Sequence, residues 1–355
     1  MHAGFVPGFI YYISFWYTKR QQGPRLSLFF SAGTFAGIFA GPLAAALTNI
    51  NGKLKEYQYI FLVEGGVTVF LGIVSIFLLS NYPESARFLT KEEKETAVKL
   101  LKREQALSGG RHVILSQVPK FLLDWKLWAY GIIFWISSTA GITQAIFGPT
   151  LIASMGYTST KAQIMSSLPS TCGFVSQLLS MFIPRIFPRL SVLIMIQALF
   201  TCACYIVLAT TTGNKLRMAF LCLANFGTSP IMPYVSLWML NNTVGVTQRA
   251  VGSGLTIMLG GIGGLIGSHL YREMDKPYYR HGHRIIAVLF GISFLLTLSL
   301  AAFFFFENRR RDKLEFGRNH NSDGGQTPGG DVDLDDGDTE VELMGDKLQS
   351  HRYTF

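Results

Sequence analysis

Residues 284–306 read RIIAVLFGISFLLTLSLAAFFFF, and after Arg284 no ionisable side chain interrupts them. About 20 such residues wound as an α-helix cross the hydrocarbon core of a bilayer. The pattern recurs outward along the chain. Runs 250–271, 217–239, 190–211, 162–184 and 127–147 come before it, then 59–80 and 26–49, and residues 3–17 look like the remainder of one more. Short polar punctuation separates them. Inside hydrocarbon every backbone N–H and C=O must find a partner within the chain, which helices provide. The sequence therefore predicts an all-α, polytopic membrane protein whose work is done in or across a bilayer.

Composition agrees. Of the residues 49% are hydrophobic and 15% charged, and the mean hydropathy is +0.31, far above that of a soluble domain. The net charge of +9 does not point to nucleic acid. Its Lys and Arg residues gather in short loops beside the apolar runs, as membrane topology requires. Cys172, Cys202, Cys204 and Cys222 all fall within runs and read as small packing residues rather than disulfide partners. Residues 1–17 lack the basic segment and small-residue cleavage site of a secretory signal.

The loops set an orientation. Lys19, Arg20 and Arg25 follow the first run, and segment 81–126 carries Arg87, Lys91, Lys94, Lys99, Lys102, Arg103, Arg111, Lys120 and Lys126. Arg185, Arg189 and Arg249 fall in later loops of the same parity, and Arg309–Arg311 follow the last run. Alternate loops are poorer, holding Lys53 and Lys55, then none in 148–160, then Lys215 and Arg217. The positive-inside rule places the rich set and the C-terminus in the cytosol. One loop dissents, with Arg272, Lys276, Arg280 and Arg284 on the external side, partly offset by Glu273 and Asp275. Nine runs with a cytosolic C-terminus put Met1 outside, with no preceding segment to carry it there, so the sequence is expected to be N-terminally incomplete.

Residues 81–126 form a cytosolic connecting loop between a three-span partial bundle (1–80) and a six-helix bundle (127–306). Within it Thr90-Lys91-Glu92-Glu93 spells a capping box, followed by Ala97, Leu100, Leu101 and Glu104 at helical spacing. An amphipathic surface helix serves equally as a connector or as a solvated loop. Residues 307–355 are expected to be a disordered acidic cytosolic tail. From Gly317 onward, glycines are set among Asp331, Asp333, Asp335, Asp336, Asp338, Glu340 and Glu342, with too little apolar surface to fold.

Specific stretches carry a resemblance. Ala3-Gly4-Phe5-Val6-Pro7-Gly8 with Tyr11 to Tyr17, Glu64-Gly65-Gly66-Val67-Thr68-Val69, and Pro83 to Thr90 are three of them. Others are Gly148-Pro149-Thr150-Leu151-Ile152 with Gly156-Tyr157-Thr158 and Ala162-Gln163, then Asn241-Asn242-Thr243 with Gly245 and Gln248-Arg249-Ala250, and Tyr271 to Asp275 with Pro277, Tyr279 and Gly282. Together, over nearly residues 1–313, they resemble the major facilitator superfamily, in the fungal allantoate/nicotinate/pantothenate permease branch of the anion:cation symporters. The likeness runs from that family's fourth helix to its twelfth. It implies two pseudo-symmetric bundles rocking about a midplane site, with helices one to three lying outside this sequence. It further implies proton-coupled symport of a small organic anion (a carboxylate, ureide or vitamin) through a multi-pass protein of the plasma membrane, with no cofactor.

Ionisable groups inside spans are few, and each invites a functional reading. His2 stands where many relatives carry a glutamate implicated in proton coupling, and it reads as a proton carrier or as an interfacial residue. Tyr12 lies in the segment resembling the fourth helix and is a pathway candidate on that ground. Glu64 reads as a helix N-terminal cap or as a relay. Gln144, Asn225 and Tyr234 are uncharged polar residues at span depth, fitted to bind a carboxylate or to hold helices together. No arginine is expected deep in a span. The glycines of Gly260-Gly261-Ile262-Gly263-Gly264 and Gly267 read as close helix packing or as a flexible gate, with packing preferred; relatives commonly carry an asparagine at Gly261.

Two other classes compete. A membrane metalloenzyme needs clustered ligands, and His2, His112, His269, His281, His283, His320 and His351 are scattered, so neither enzyme nor metal site is expected. A truncated, non-transporting fragment or regulatory membrane subunit is the alternative reading, because three absent helices leave one wall of the cavity open.

Overall fold

The computed structural model describes residues 5–17, 19–47, 55–78, 86, 90–95, 114–322 and 353–354. These are almost wholly helical. The first bundle contributes α1 (Phe5–Trp16), α2 (Lys19–Leu47) and α3 (Glu56–Leu78). The second contributes a short α4 (Val118–Leu122), α5 (Trp125–Ala153), α6 (Ser159–Met165), α7 (Ser167–Leu179), a single turn α8 (Ile183–Ile186) and α9 (Leu190–Thr210). It continues with α10 (Asn214–Thr228), α11 (Ile231–Asn242), α12 (Val246–Leu270) and α13 (Arg280–Ser322).

Among the described residues, seven segments are long and apolar enough to cross a membrane: Gln21–Leu47, Tyr57–Phe77, Trp125–Ala153, Leu190–Thr210, Asn214–Asn242, Val246–Leu270 and Arg280–Leu314. Two of the nine expected runs fall short. α1 holds 12 residues, and the run 162–184 is divided at Ser166 into α6 and α7. Pro169 accounts for the division, because it has no N–H for the Met165 carbonyl and its ring presses on that carbonyl.

Proline also interrupts the run 217–239, at Ser229-Pro230 between α10 and α11. Pro230 cannot donate to the carbonyl of Phe226, and in a dry interior that acceptor needs another partner. Ser176 of α7 supplies it through a 2.6 Å hydrogen bond. A sequence defect on one helix thereby becomes a tie to its neighbour.

The second bundle is knit by small residues. α12 lies against α5 along Gly260, Gly263 and Gly267, spaced for one helix face. A Cβ at Gly260 would come within 2.7 Å of the Phe134 ring, and one at Gly263 within 2.6 Å of Thr139 Oγ1. At Gly267 it would collide with Thr143 Oγ1. Ser138 Oγ donates to the Gly260 carbonyl at 2.9 Å across the same seam. Packing, the preferred reading of the glycine run, is what the structure displays. Gly245 has φ 87°, the left-handed turn that joins α11 to α12.

α3 packs weakly and leaves Phe61, Phe70, Ile76 and Phe77 between 65% and 83% exposed, a surface that hydrocarbon solvates and water does not. Outside the spans, the capping box forms. Thr90 N donates to Glu93 Oε2 at 2.9 Å and Glu93 N to Thr90 Oγ1 at 3.3 Å. The remainder of the expected surface helix lies outside the described residues.

The expected disordered tail does not begin at residue 307. α13 continues to Ser322, its first turns past the apolar run held by Glu307 with Arg310 and Arg311 at 3.1 and 3.0 Å. Such i,i+3 and i,i+4 pairs extend a helix beyond the membrane. Residues 353–354 also pack on the bundle.

Candidate functional site

Where α2 faces the second bundle, a cavity of about 560 Å³ opens. α2 supplies Phe30, Gly33, Thr34, Gly37 and Gly41. Opposite stand Gln144 of α5, Gln163 of α6, Ser170 and Gln177 of α7, Asn225 and Thr228 of α10, Ser229 in the break, and Met232 of α11. Glycine on α2 brings the bundles together. A Cβ at Gly37 would stand 3.1 Å from Ser170 Oγ, and one at Gly41 would be 2.7 Å from Ser166 Oγ and overlap the Gln163 carbonyl. Near the start of α2, Gly23 abuts Leu237 of α11, at 2.9 Å on the same measure.

The lining is mostly apolar, with uncharged polar groups set into it. Among the described residues that form it there is no Asp, Glu, Lys, Arg or His. Its donors and acceptors are amides and hydroxyls, groups that orient a small polar ligand in a largely apolar recess. Two of the sequence-derived candidates meet here, and both already tie helices together. Gln144 Nε2 donates to the Leu221 carbonyl at 3.2 Å. Asn225 Nδ2 donates to the Pro169 carbonyl at 2.9 Å, and its Oδ1 accepts from Ser229 Oγ at 3.3 Å.

Gln177 differs. Its side chain is 2% exposed, it lines the cavity, and its Nε2 has no hydrogen-bond partner among the described residues. A buried N–H without a partner costs on the order of 1–3 kcal/mol. Sequence reading passed over this residue. The signal that found Gln144, an amide at span depth, was equally present in 162–184.

The other candidates sit elsewhere. Tyr234 is buried among helices, its hydroxyl lacks a partner among the described residues, and it does not line the cavity. Tyr12 is half-buried beside Trp16, ring centroids 5.8 Å apart, and also lies off the cavity. His2 lies outside the described residues. Glu64 is exposed on α3, more than two turns beyond the helix start at Glu56. The expected capping role is thereby corrected, because the helix dipole acts within the first turn.

Arg217 brings a second correction. Sequence reading put it in a loop, yet it is buried in α10 and 1% exposed. Nη2 donates to the Pro277 carbonyl at 3.1 Å, and the guanidinium lies 5.3 Å from the Tyr278 ring centroid. In that region His283 is buried, with Nδ1 2.8 Å from the Tyr271 hydroxyl. All four cysteines are free thiols.

Comparison with known proteins gives these features a setting. Residues 1–268 match the family model described as Major Facilitator Superfamily. An uncharacterized transporter of Schizosaccharomyces pombe is 28% identical over 322 residues, covering 87% of this chain and 62% of that protein. A "major facilitator-type transporter" of Emericella nidulans is 28% identical over 316 residues, covering 88% and 64%. A "putative tartrate transporter" of Agrobacterium vitis is 28% identical over 306 residues, covering 84% and 67%. The chain thus spans somewhat under two thirds of the length of the first two. Among solved structures, the proton:xylose symporter XylE superposes with a TM-score of 0.63 at 14% identity, covering 82% of this chain and 66% of that one. The transporter FucP in its outward conformation gives 0.59 at 14% identity, covering 83% and 72%. At that identity the likeness is one of fold.

Proposed function

The chain belongs to the Major Facilitator Superfamily, and from that premise we propose that it works in secondary active transport, carrying a small organic anion through the cavity between α2 and the second bundle. The carrying observation is the unpartnered amide of Gln177 in a cavity lined by uncharged hydrogen-bonding groups. A carboxylate accepts from amide N–H groups, and such charge-assisted bonds are roughly twice as strong as neutral ones. In this reading Gln177 binds the anion directly, while Gln144 and Asn225 hold the cavity's shape and offer their remaining acceptor and donor capacity.

The branch expected from the sequence, the anion:cation symporters, draws support from the relative named a putative tartrate transporter. Proton coupling draws support from the fold likeness to a protein named a proton:xylose symporter. Among the described residues that line the cavity none is ionisable, so His2, Glu64 and Tyr12 are the positions to test for the coupling proton. On this reading the protein works in the plasma membrane, with segment 81–126 and the C-terminal segment on the cytosolic side, as the distribution of Lys and Arg among the loops supports. The test is uptake of labelled small carboxylates by cells expressing the gene, with and without an imposed pH gradient, for wild type and Gln177→Leu. Saturable, gradient-driven uptake that weakens in the variant supports the reading; uptake untouched by the variant removes the cavity from the pathway.

A further inference from the structure

Tyr353 and Thr354 lie beyond residues 323–352, yet they are packed against one end of the second bundle. Tyr353 is 4% exposed. Its ring stacks on Phe304 of α13 with centroids 4.3 Å apart and planes 11° from parallel. Its hydroxyl accepts from Lys126 Nζ of α5 at 3.2 Å and from Arg311 Nη2 of α13 at 3.3 Å. The two cations also lie 5.2 and 4.8 Å from the ring centroid, within cation–π range.

The backbone is held as closely as the ring. Asn308 of α13 takes both peptide groups of Tyr353: Oδ1 accepts from its N–H at 3.0 Å, and Nδ2 donates to its carbonyl at 2.8 Å. Asn242 of α11 does the same for Thr354, at 2.6 Å to the N–H and 3.1 Å to the carbonyl. Trp238 Nε1 donates to the Thr354 carbonyl as well, at 2.8 Å. Two asparagines reading consecutive residues, with an aromatic socket under cationic lids, make a site for a short peptide segment.

We infer that the cleft formed by Lys126, Trp238, Asn242, Phe304, Asn308 and Arg311 is a built-in binding site whose ligand is the chain's own Tyr353-Thr354 segment. Its place gives it a mechanical consequence. The segment bridges α5, α11 and α13, and α11 presents Leu237, next to Trp238, to Gly23 of α2 in the other bundle. A latched segment stiffens the corner of the second bundle that meets the first. Residues 323–352 tether the ligand, so its effective concentration is high and modest intrinsic affinity suffices.

Backbone hydrogen exchange in the full chain, reconstituted in nanodiscs, tests this without requiring transport. The amides of Tyr353 and Thr354 should exchange ~10-fold or more slowly than in a free peptide of residues 348–355, since both are hydrogen-bonded to side chains. Tyr353→Ala, a change in the segment that leaves the bundle intact, should abolish that protection and speed exchange at Trp238–Asn242. Adding free wild-type 348–355 peptide should restore protection at Trp238–Asn242. Tail amides exchanging in the wild type as fast as the free peptide would overturn the site. Unchanged exchange at Trp238–Asn242 in the variant would overturn the stiffening. Neither result depends on which solute is carried, so failure here is separable from failure of the transport reading.

Discussion

Ser176 Oγ stands 2.6 Å from the carbonyl oxygen of Phe226, the acceptor that Pro230 leaves without a helical donor. One hydroxyl thus compensates a proline break at the wall of the cavity. Ser176→Ala should lower stability by about 1 kcal/mol, near the range for interhelical hydrogen bonds in membranes. Ser176→Thr, which keeps the hydroxyl, should lose less. Thermal melting of the two variants in the same detergent checks the ordering.

Gln177→Leu should raise the half-saturating substrate concentration about tenfold, the loss of roughly one hydrogen bond to a charged group. Because it removes an unpartnered polar atom, the variant should melt at or above the wild-type temperature. Uptake kinetics read beside melting temperature separate this from simple misfolding.

The α5–α12 seam predicts a contrast between neighbouring glycines. At Gly263 a new Cβ meets Thr139 Oγ1 at 2.6 Å and the Trp135 carbonyl at 3.0 Å, whereas at Gly261 it meets nothing within 4 Å. Gly263→Ala should destabilise by about 1–3 kcal/mol, the usual penalty of overpacking. Gly261→Asn should express and melt like wild type. Fluorescence-detected size exclusion after a heat step gives both answers.

Glu93 lies outside the spans, and its hydrogen bonds from Thr90 hold its carboxyl below the usual carboxylate value. A depressed folded-state pKa contributes stability above the unfolded value and loses it as pH falls through the folded one. The Thr90 amide should therefore exchange more slowly at neutral pH than its intrinsic rate predicts, with that protection fading only as pH falls below the usual carboxylate range. Glu93→Ala should remove the pH dependence.

Asn242 hydrogen-bonds Thr354, so the α11–α12 turn and the end of the chain share one face of the bundle. With that face in the cytosol, the Asn241-Asn242-Thr243 sequon should stay unglycosylated, while a sequon engineered into residues 211–213 should be modified. A glycosidase-dependent gel shift decides, and modification of Asn241 would reverse the orientation.

Hydropathy made the fold legible because the bilayer punishes exposed backbone so heavily that each span must announce itself in composition. Where the reading slipped, proline or side-chain pairing was the cause. Pro169 and Pro230 broke runs that hydropathy joined, and Glu307 with Arg310 and Arg311 prolonged a helix whose composition suggested disorder. The site was half legible. Gln144 and Asn225 were chosen as amides at depth and do meet in the cavity, but that criterion cannot tell which amides are already committed to a neighbouring carbonyl. Gln177 stands out only once partners are known. Tyr353 was invisible, since nothing local in an acidic, glycine-rich tail signals a partner more than 40 residues away at Asn308.

The most direct measurement is uptake of a panel of radiolabelled small carboxylates by cells expressing the gene, wild type against Gln177→Leu, at matched surface expression. Saturable uptake that rises with an inward proton gradient and loses about tenfold in affinity in the variant is the expected result. Uptake that is absent for every acid and every gradient, or identical in the two proteins, would contradict transport of an organic anion through this cavity.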